Sequence, residues 1–302
     1  MGVLGQLGFM VAFLAAGVVA GHLGLLTERR TDVLTTLVFT VALPSLVFRS
    51  TYGEPLREII SPSLLAGFWV VIAVTIGLGW LVHRRLETAD HRSVSVVQSY
   101  HSNMGFLGLP LVAETMGGDA TTVASVLLGI GSITHVPVTV FLLVRINGSD
   151  ASMVAECKKL LTNPVLVALT AGIGASVLGV PVPGTFVDAL AVPAELALPL
   201  ALLCIGASLD TDLPAAHVEK TASVVALKVL WMPALAWLVY SSLPVGSTAL
   251  GTAVVMFGAP TAVSTYVYTT EMGGDAAFAS LNVFTSTVVS IGTLSVLVWL
   301  FA

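Results

Sequence analysis

The sequence predicts an all-α membrane protein of ten transmembrane helices, built as two inverted five-helix repeats in which helices four and nine are discontinuous. Three observations predict it. First, 56% of the 302 residues are hydrophobic and only 10% are charged, against about 25% charged in a soluble domain; the mean hydropathy is +0.97. Second, ten apolar runs reach the roughly 20 residues that a helix needs to cross a bilayer. Third, short peptides recur half a chain apart. Ala42-Leu43-Pro44 returns as Ala197-Leu198-Pro199, and Met116-Gly117-Gly118-Asp119-Ala120 returns intact 156 residues later as Met272-Gly273-Gly274-Asp275-Ala276.

The runs cover 3–26, 32–51, 62–82, 93–115, 119–144, 161–180, 189–209, 220–243, 247–270 and 275–301. The first has no basic segment before it and exceeds the apolar core of a signal peptide, about 7–15 residues, so it reads as a retained span. Only a Gly-Gly step separates the fourth run from the fifth and the ninth from the tenth. The longest polar connection, Arg145 to Leu160, carries Asn147-Gly148-Ser149-Asp150 and divides the chain. It yields a first repeat at 1–146, a connecting cytoplasmic loop at 147–160 and a second repeat at 161–302, with no soluble domain appended. Five spans per repeat is odd, so the second copy enters the membrane from the opposite face, the inverted plan of secondary transporters. One side collects Arg29, Arg30, Arg84, Arg85, Arg92, Arg145, Lys158, Lys159 and Lys220; the other has Arg49 and Arg57. The basic side should be cytoplasmic, which places both termini outside a multi-pass protein of the cell membrane.

The net charge of −5 leaves no electrostatic footprint for nucleic acid. Cys157 and Cys204 form neither a disulfide framework nor a metal spacing. No catalytic residue and no cofactor are expected: Gly117-Gly118-Asp119 misses the Gly-x-Gly-Asp protease pattern by one place, and a carboxylate dyad needs a second acid in contact.

The stretch from Gln98 to Asp119 sets Gln98, His101, Ser102, Asn103, Gly105, Gly108 and Pro110 at membrane depth. In hydrocarbon each backbone polar group needs a partner, so this clustering reads as a helix broken on purpose. The repeat offset places Met104 on Pro260, which makes Phe257-Gly258-Ala259-Pro260-Thr261 the second break. Two broken helices from inverted halves can cross with their half-helix N-termini, each about +0.5 charge, facing one place suited to a carboxylate. Asn103 either holds that carboxylate or caps a half-helix. His101 carries a proton, binds substrate, or is a neutral ring bonded to a neighbouring carbonyl. Ser264 and Thr265 either face substrate or bond back to their own helix. Asn282 is a site residue or a helix-packing contact. Lys228 either snorkels to the cytoplasmic interface or serves as a countercharge. Glu114, Asp119, Glu271 and Asp275 read as solvated loop ends. Pro44, Pro137, Pro199 and Pro233 read as kinks.

The run Ser102-Asn103-Met104-Gly105-Phe106-Leu107-Gly108-Leu109-Pro110 resembles the Asn-x-Gly-(aromatic)-x-Gly-x-Pro signature of the auxin efflux carrier family. Asn163-Pro164 resembles that family's second-half Asn-Pro start, and Ala259-Pro260 followed by Glu271-Met272-Gly273-Gly274-Asp275 resembles its C-terminal pattern. The similarity runs through all ten spans, and the short central loop resembles prokaryotic members of the bile acid/auxin carrier-like transporters. The resemblance implies a sodium/proton antiporter-like fold with a scaffold domain and a transport domain, each built from both repeats, crossed helices four and nine, an elevator-like movement and a homodimer. It implies a small organic anion as substrate, auxin-like or malate- or malonate-like. It places Asn103, Gly105 and Pro110 on one crossing arm and Pro260 on the other; Thr261 and Ser264 follow Pro260 in the sequence as further candidate substrate contacts. The family's helix-two serine falls at Val47, with Ser45 close by. Coupling to sodium or protons stays open. A ligand sensor or channel on the same scaffold is the alternative.

Overall fold

The structure is a computed structural model and describes residues 3–86, 88–208 and 218–302. Residue Leu209, where the seventh predicted run ends, and the Arg57 side chain used for orientation lie outside the described residues. Every regular element among the described residues is helical. In chain order they are α1 (Val3–His22), α2 (Glu28–Thr51), α3 (Pro62–His83), α4 (Ala89–Gln98), α5 (Met104–Thr115), α6 (Gly118–Asn147), α7 (Met153–Leu161), α8 (Pro164–Leu178), α9 (Gly184–Ala207), α10 (Lys220–Ser241), α11 (Ser247–Gly258), α12 (Ser264–Glu271) and α13 (Ala276–Phe301). Among the described residues, six of these (α2, α3, α6, α9, α10 and α13) are long and apolar enough to cross a membrane, or seven if α7 and α8, bent by 48°, form one span.

Side-chain caps explain several starts. Ser61 accepts from Leu64 N at 3.1 Å ahead of Pro62, and Asn163 accepts from Val165 N at 2.9 Å ahead of Pro164. Proline suits the first helical turn because its missing N–H would be unpaired there anyway. Asp275, read from the sequence as a solvated loop end, instead caps α13 through Phe278 N at 2.8 Å and meets His91 Nε2 at 2.9 Å. Lys220 Nζ donates to the other nitrogen of that ring at 3.3 Å, so three elements are tied at one end. The connection after α6 is also more ordered than a loop. Ser152 caps α7, whose Glu156 and Lys159 pair at 2.7 Å.

Both runs expected to be broken are broken, but the first breaks earlier than the glycines suggest. α4 ends at Gln98 and α5 begins at Met104, so the interruption is Ser99–Asn103, while Gly105, Gly108 and Pro110 lie in the new helix. The reason is a widened turn. Residues Met104–Gly108 bond i→i+5, as do Val38–Ala42 and Leu227–Trp231. Each ends two residues before a proline: Pro44, Pro110 and Pro233. Proline offers no N–H, and its ring collides with the carbonyl four residues back. Widening the preceding turn moves that carbonyl aside, and the helix continues instead of breaking.

Close helix contacts use glycine. A Cβ on Gly17 of α1 would strike Leu203 O of α9, and one on Gly206 would strike Leu14 O of α1. A Cβ on Gly172 of α8 would strike Thr51 Oγ1 of α2. Such small-residue seams substitute for the hydrophobic effect, which is absent between helices in lipid. Gly206→Leu is therefore expected to force α1 off α9, at a cost of about 1–3 kcal/mol for overpacking. A lower midpoint for thermal unfolding in detergent checks this; an unchanged midpoint would mean the seam is not close-packed.

Candidate functional site

The two breaks pair with each other. Ser102 and Thr261 form an isolated antiparallel bridge. Asn103 N donates to Pro260 O at 2.8 Å, and Ala262 N donates to His101 O at 2.9 Å. Backbone polar groups freed by the interruptions thus satisfy one another at membrane depth, as burial requires. Thr261 strengthens the joint: its Oγ1 donates to Gln98 O at 2.8 Å and its N–H donates to Ser286 Oγ at 3.2 Å.

Gln98, fully buried, is the hub beneath the joint. Its Nε2 donates to Thr265 Oγ1 at 3.0 Å and to Ala279 O at 3.1 Å. Its Oε1 accepts from Asn282 Nδ2 at 2.8 Å. Asn282 is accordingly a helix-packing contact, and its Oδ1 is buried without a partner among the described residues. Thr265 Oγ1 also donates to Ala262 O at 2.6 Å.

Lys228 corrects one sequence reading. It is fully buried and does not snorkel to the interface. Its Nζ donates to Phe257 O at 2.8 Å and lies 3.3 Å from Met232 Sδ. Phe257 is in the last turn of α11, where carbonyls lack intrahelical partners. As an ammonium, Lys228 sets a positive charge against the negative end of α11. The widened turn at Leu227–Trp231 carries the lysine, and its Nζ meets a helix end outside the cavity lining.

The starts of α5 and α12 border one cavity of about 530 Å³, well within the range of ligand pockets. His101, Asn103 and Gly105 of the first break line it, as does Ser264 of the second. Asn103 Oδ1 accepts from Phe106 N at 3.2 Å and so caps α5. The backbone N–H groups of Gly105, Val263 and Ser264, all in lining residues, have no acceptor among the described residues. α2, α6 and α9 close the sides, and the Glu156–Lys159 pair of α7 lies at one edge.

Six expected site residues do not line the cavity: Ser45, Pro110, Lys228, Pro260, Thr261 and Asn282. Pro110, Pro260 and Thr261 shape the breaks; Ser45 is buried in α2, away from the cavity wall. His135 also lines the cavity, with its ring 4.7 Å from that of His101. Thr139, one turn further along α6, bonds His101 Nδ1 at 2.8 Å and Tyr100 OH at 2.7 Å. The spacing of His135 and Thr139 marks a shared helix face, but not which face meets the break.

Comparison with known proteins agrees with the motif resemblance. A family model described as membrane transport protein matches residues 4–300. An uncharacterized transporter from Methanothermobacter thermautotrophicus (strain Delta H) is 26% identical over 283 residues, covering 92% of this chain and 91% of that protein. A protein of Rhizobium meliloti (strain 1021), provisionally named a malonate transporter, is 22% identical over 297 residues, with coverage of 92% and 91%.

Proposed function

Since the chain belongs to the membrane transport protein family, we propose that it is a secondary active transporter of a small organic anion, working by elevator-type alternating access. The observation that carries the substrate class is the pair of half-helix starts at one cavity, with the N–H groups of Gly105, Val263 and Ser264 left for a ligand. Such a place favours a carboxylate by fixed dipoles, without a full protein charge. The name of the Rhizobium meliloti relative makes malonate the first compound to test.

The ten-span inverted-repeat reading supports the mechanism. Gly117 and Gly273 occupy equivalent places in the two repeats, and both take a left-handed backbone, φ +89° and +74°, which favours glycine. Each stands just ahead of a long helix, α6 or α13. In this reading α1, α2, α8 and α9 form the scaffold, held by the seams at Gly17, Gly206 and Gly172. The joined breaks move as one body past α2 and α9, with the cavity between the two parts. The Glu156–Lys159 edge opens to the basic, cytoplasmic side. A homodimer is the assembly this reading expects.

Solid-supported-membrane currents from proteoliposomes, over a panel of mono- and dicarboxylates including malonate, test the proposal. Saturable, substrate-dependent current with counterflow is expected. Silence across the panel would reject the substrate class, and linear flux indifferent to trans substrate would point to a channel. Asn103→Ala removes the α5 cap, about 1 kcal/mol, together with a cavity amide. It should raise the apparent Kd for malonate by roughly five- to tenfold. An unchanged Kd in the purified variant would take Asn103 out of the site.

A further inference from the structure

Beside the breaks lies a buried hydrogen-bond chain that the proposed function does not use: Tyr100 OH, Thr139 Oγ1 and His101 Nδ1, linked at 2.7 and 2.8 Å. We infer that this hydroxyl pair fixes His101 as its Nε2–H tautomer, so that the cavity presents an imidazole N–H to an acceptor oxygen of the substrate. The inference deepens the organic-anion reading and, in its substrate part, rests on it.

Donor counting carries it. Thr139 Oγ1 has one hydrogen to share between two partners. Tyr100 is fully buried, and Thr139 is its phenol's one hydrogen-bond partner among the described residues. If Thr139 donated to Tyr100, the phenol O–H would be stranded in a dry environment, which is the costly way to leave a polar group. If Tyr100 donates to Thr139, Thr139 donates onward to His101 Nδ1, and every hydrogen in the chain is placed. His101 Nδ1 is then an acceptor, and the neutral ring carries its hydrogen on Nε2. His101 lines the cavity, and with Nδ1 held by Thr139, Nε2 is the nitrogen left for a ligand. The His135 ring packs over it at 4.7 Å and limits its rotation. Tyr100 and Thr139 are thus positioning residues. The arrangement suits a carboxylate oxygen and disfavours an amine or other cation. The titratable groups facing the ring are Tyr100, His135 of α6 and Lys228 of α10; Cys204, Tyr268, Glu156 and Lys159 line the cavity from α9, α12 and α7.

Nitrogen-15 NMR of histidine-labelled full-length protein in micelles tests this, with the His101 signals assigned by their loss in His101→Gln. In the wild type, Nε2 should be protonated and Nδ1 unprotonated, with the other tautomer below about one-tenth. Tyr100→Phe frees Thr139 to donate or accept, so a mixture of tautomers is expected, and the Kd for malonate should rise about three- to tenfold. Thr139→Val should act alike. A wild-type spectrum with the hydrogen on Nδ1 overturns the inference even if neither variant folds, as does a Tyr100→Phe spectrum identical to the wild type. Absence of binding across the mono- and dicarboxylate panel in a wild type that shows the assigned tautomer would reject the organic-anion reading, and the substrate part with it, while the hydroxyl lock stands.

Discussion

Gln98→Leu is expected to lower the stability of the protein by about 2–4 kcal/mol. The side chain makes three hydrogen bonds, to Thr265 Oγ1, Ala279 O and Asn282 Nδ2, with no exposure to solvent. Leucine matches its bulk but removes all three bonds: Thr265 Oγ1 keeps its bond to Ala262 O, while the buried Asn282 amide loses its one partner among the described residues. An interhelical polar contact in a membrane averages about 0.6 kcal/mol, and a buried group left without its partner costs about 1–3 kcal/mol. One stranded amide and two lost contacts together give the stated range. Asn282→Ala is the contrast: it removes one bond and an oxygen that has no partner, and strands a single acceptor, Gln98 Oε1, so about 1–2 kcal/mol is expected. Unfolding of both purified variants in mixed micelles checks the order. Equal effects would show that Gln98 is not the hub of the joint.

Lys228→Met should leave a folded protein whose malonate-dependent current falls tenfold or more. The loss has two parts. Phe257 O gives up a hydrogen bond from a lysine Nζ, and bonds to charged groups are worth about 1.5–3 kcal/mol. The end of α11 also loses its countercharge just where the chain turns into the break at Ala259–Val263. Methionine fills the space, so a monodisperse size-exclusion profile should persist while the cavity loses its shape. Lys228→Arg should not restore transport, because a planar fork is not a point donor and the site is fully enclosed. Wild-type current in Lys228→Met would reduce the lysine to a packing residue.

The membrane class, the all-helical architecture and both interruptions were legible in the sequence because each rests on local chemistry: length, hydropathy and clustered breakers. The repeated Met-Gly-Gly-Asp-Ala also located the left-handed glycines at Gly117 and Gly273. The limits of the first break were not legible. Glycine and proline at 105–110 look like the gap, but a widened turn lets the helix absorb Pro110, which moves the gap to Ser99–Asn103. Contacts across long separations were also hidden. Gln98 with Asn282, Lys228 with Phe257, and His101 with His135 and Thr139 are set by which helix faces meet, and a single sequence does not record that. Of the two readings of Asn103, the cap is seen, and the residue also lines the cavity.

The widened turns have a further consequence for α10. An extra residue per turn adds about 100° of rotation relative to a regular helix, so side chains at the start of Leu227–Trp231 and beyond it follow two different azimuths. Lys228 reaches Phe257 of α11, while Tyr240 beyond the turn donates to Leu64 O of α3 at 2.9 Å. One rod thereby serves two neighbours. Excising a single residue from 227–231 together with Pro233→Ala should bring the far half back into phase, whereas the excision alone should throw Tyr240 off its carbonyl.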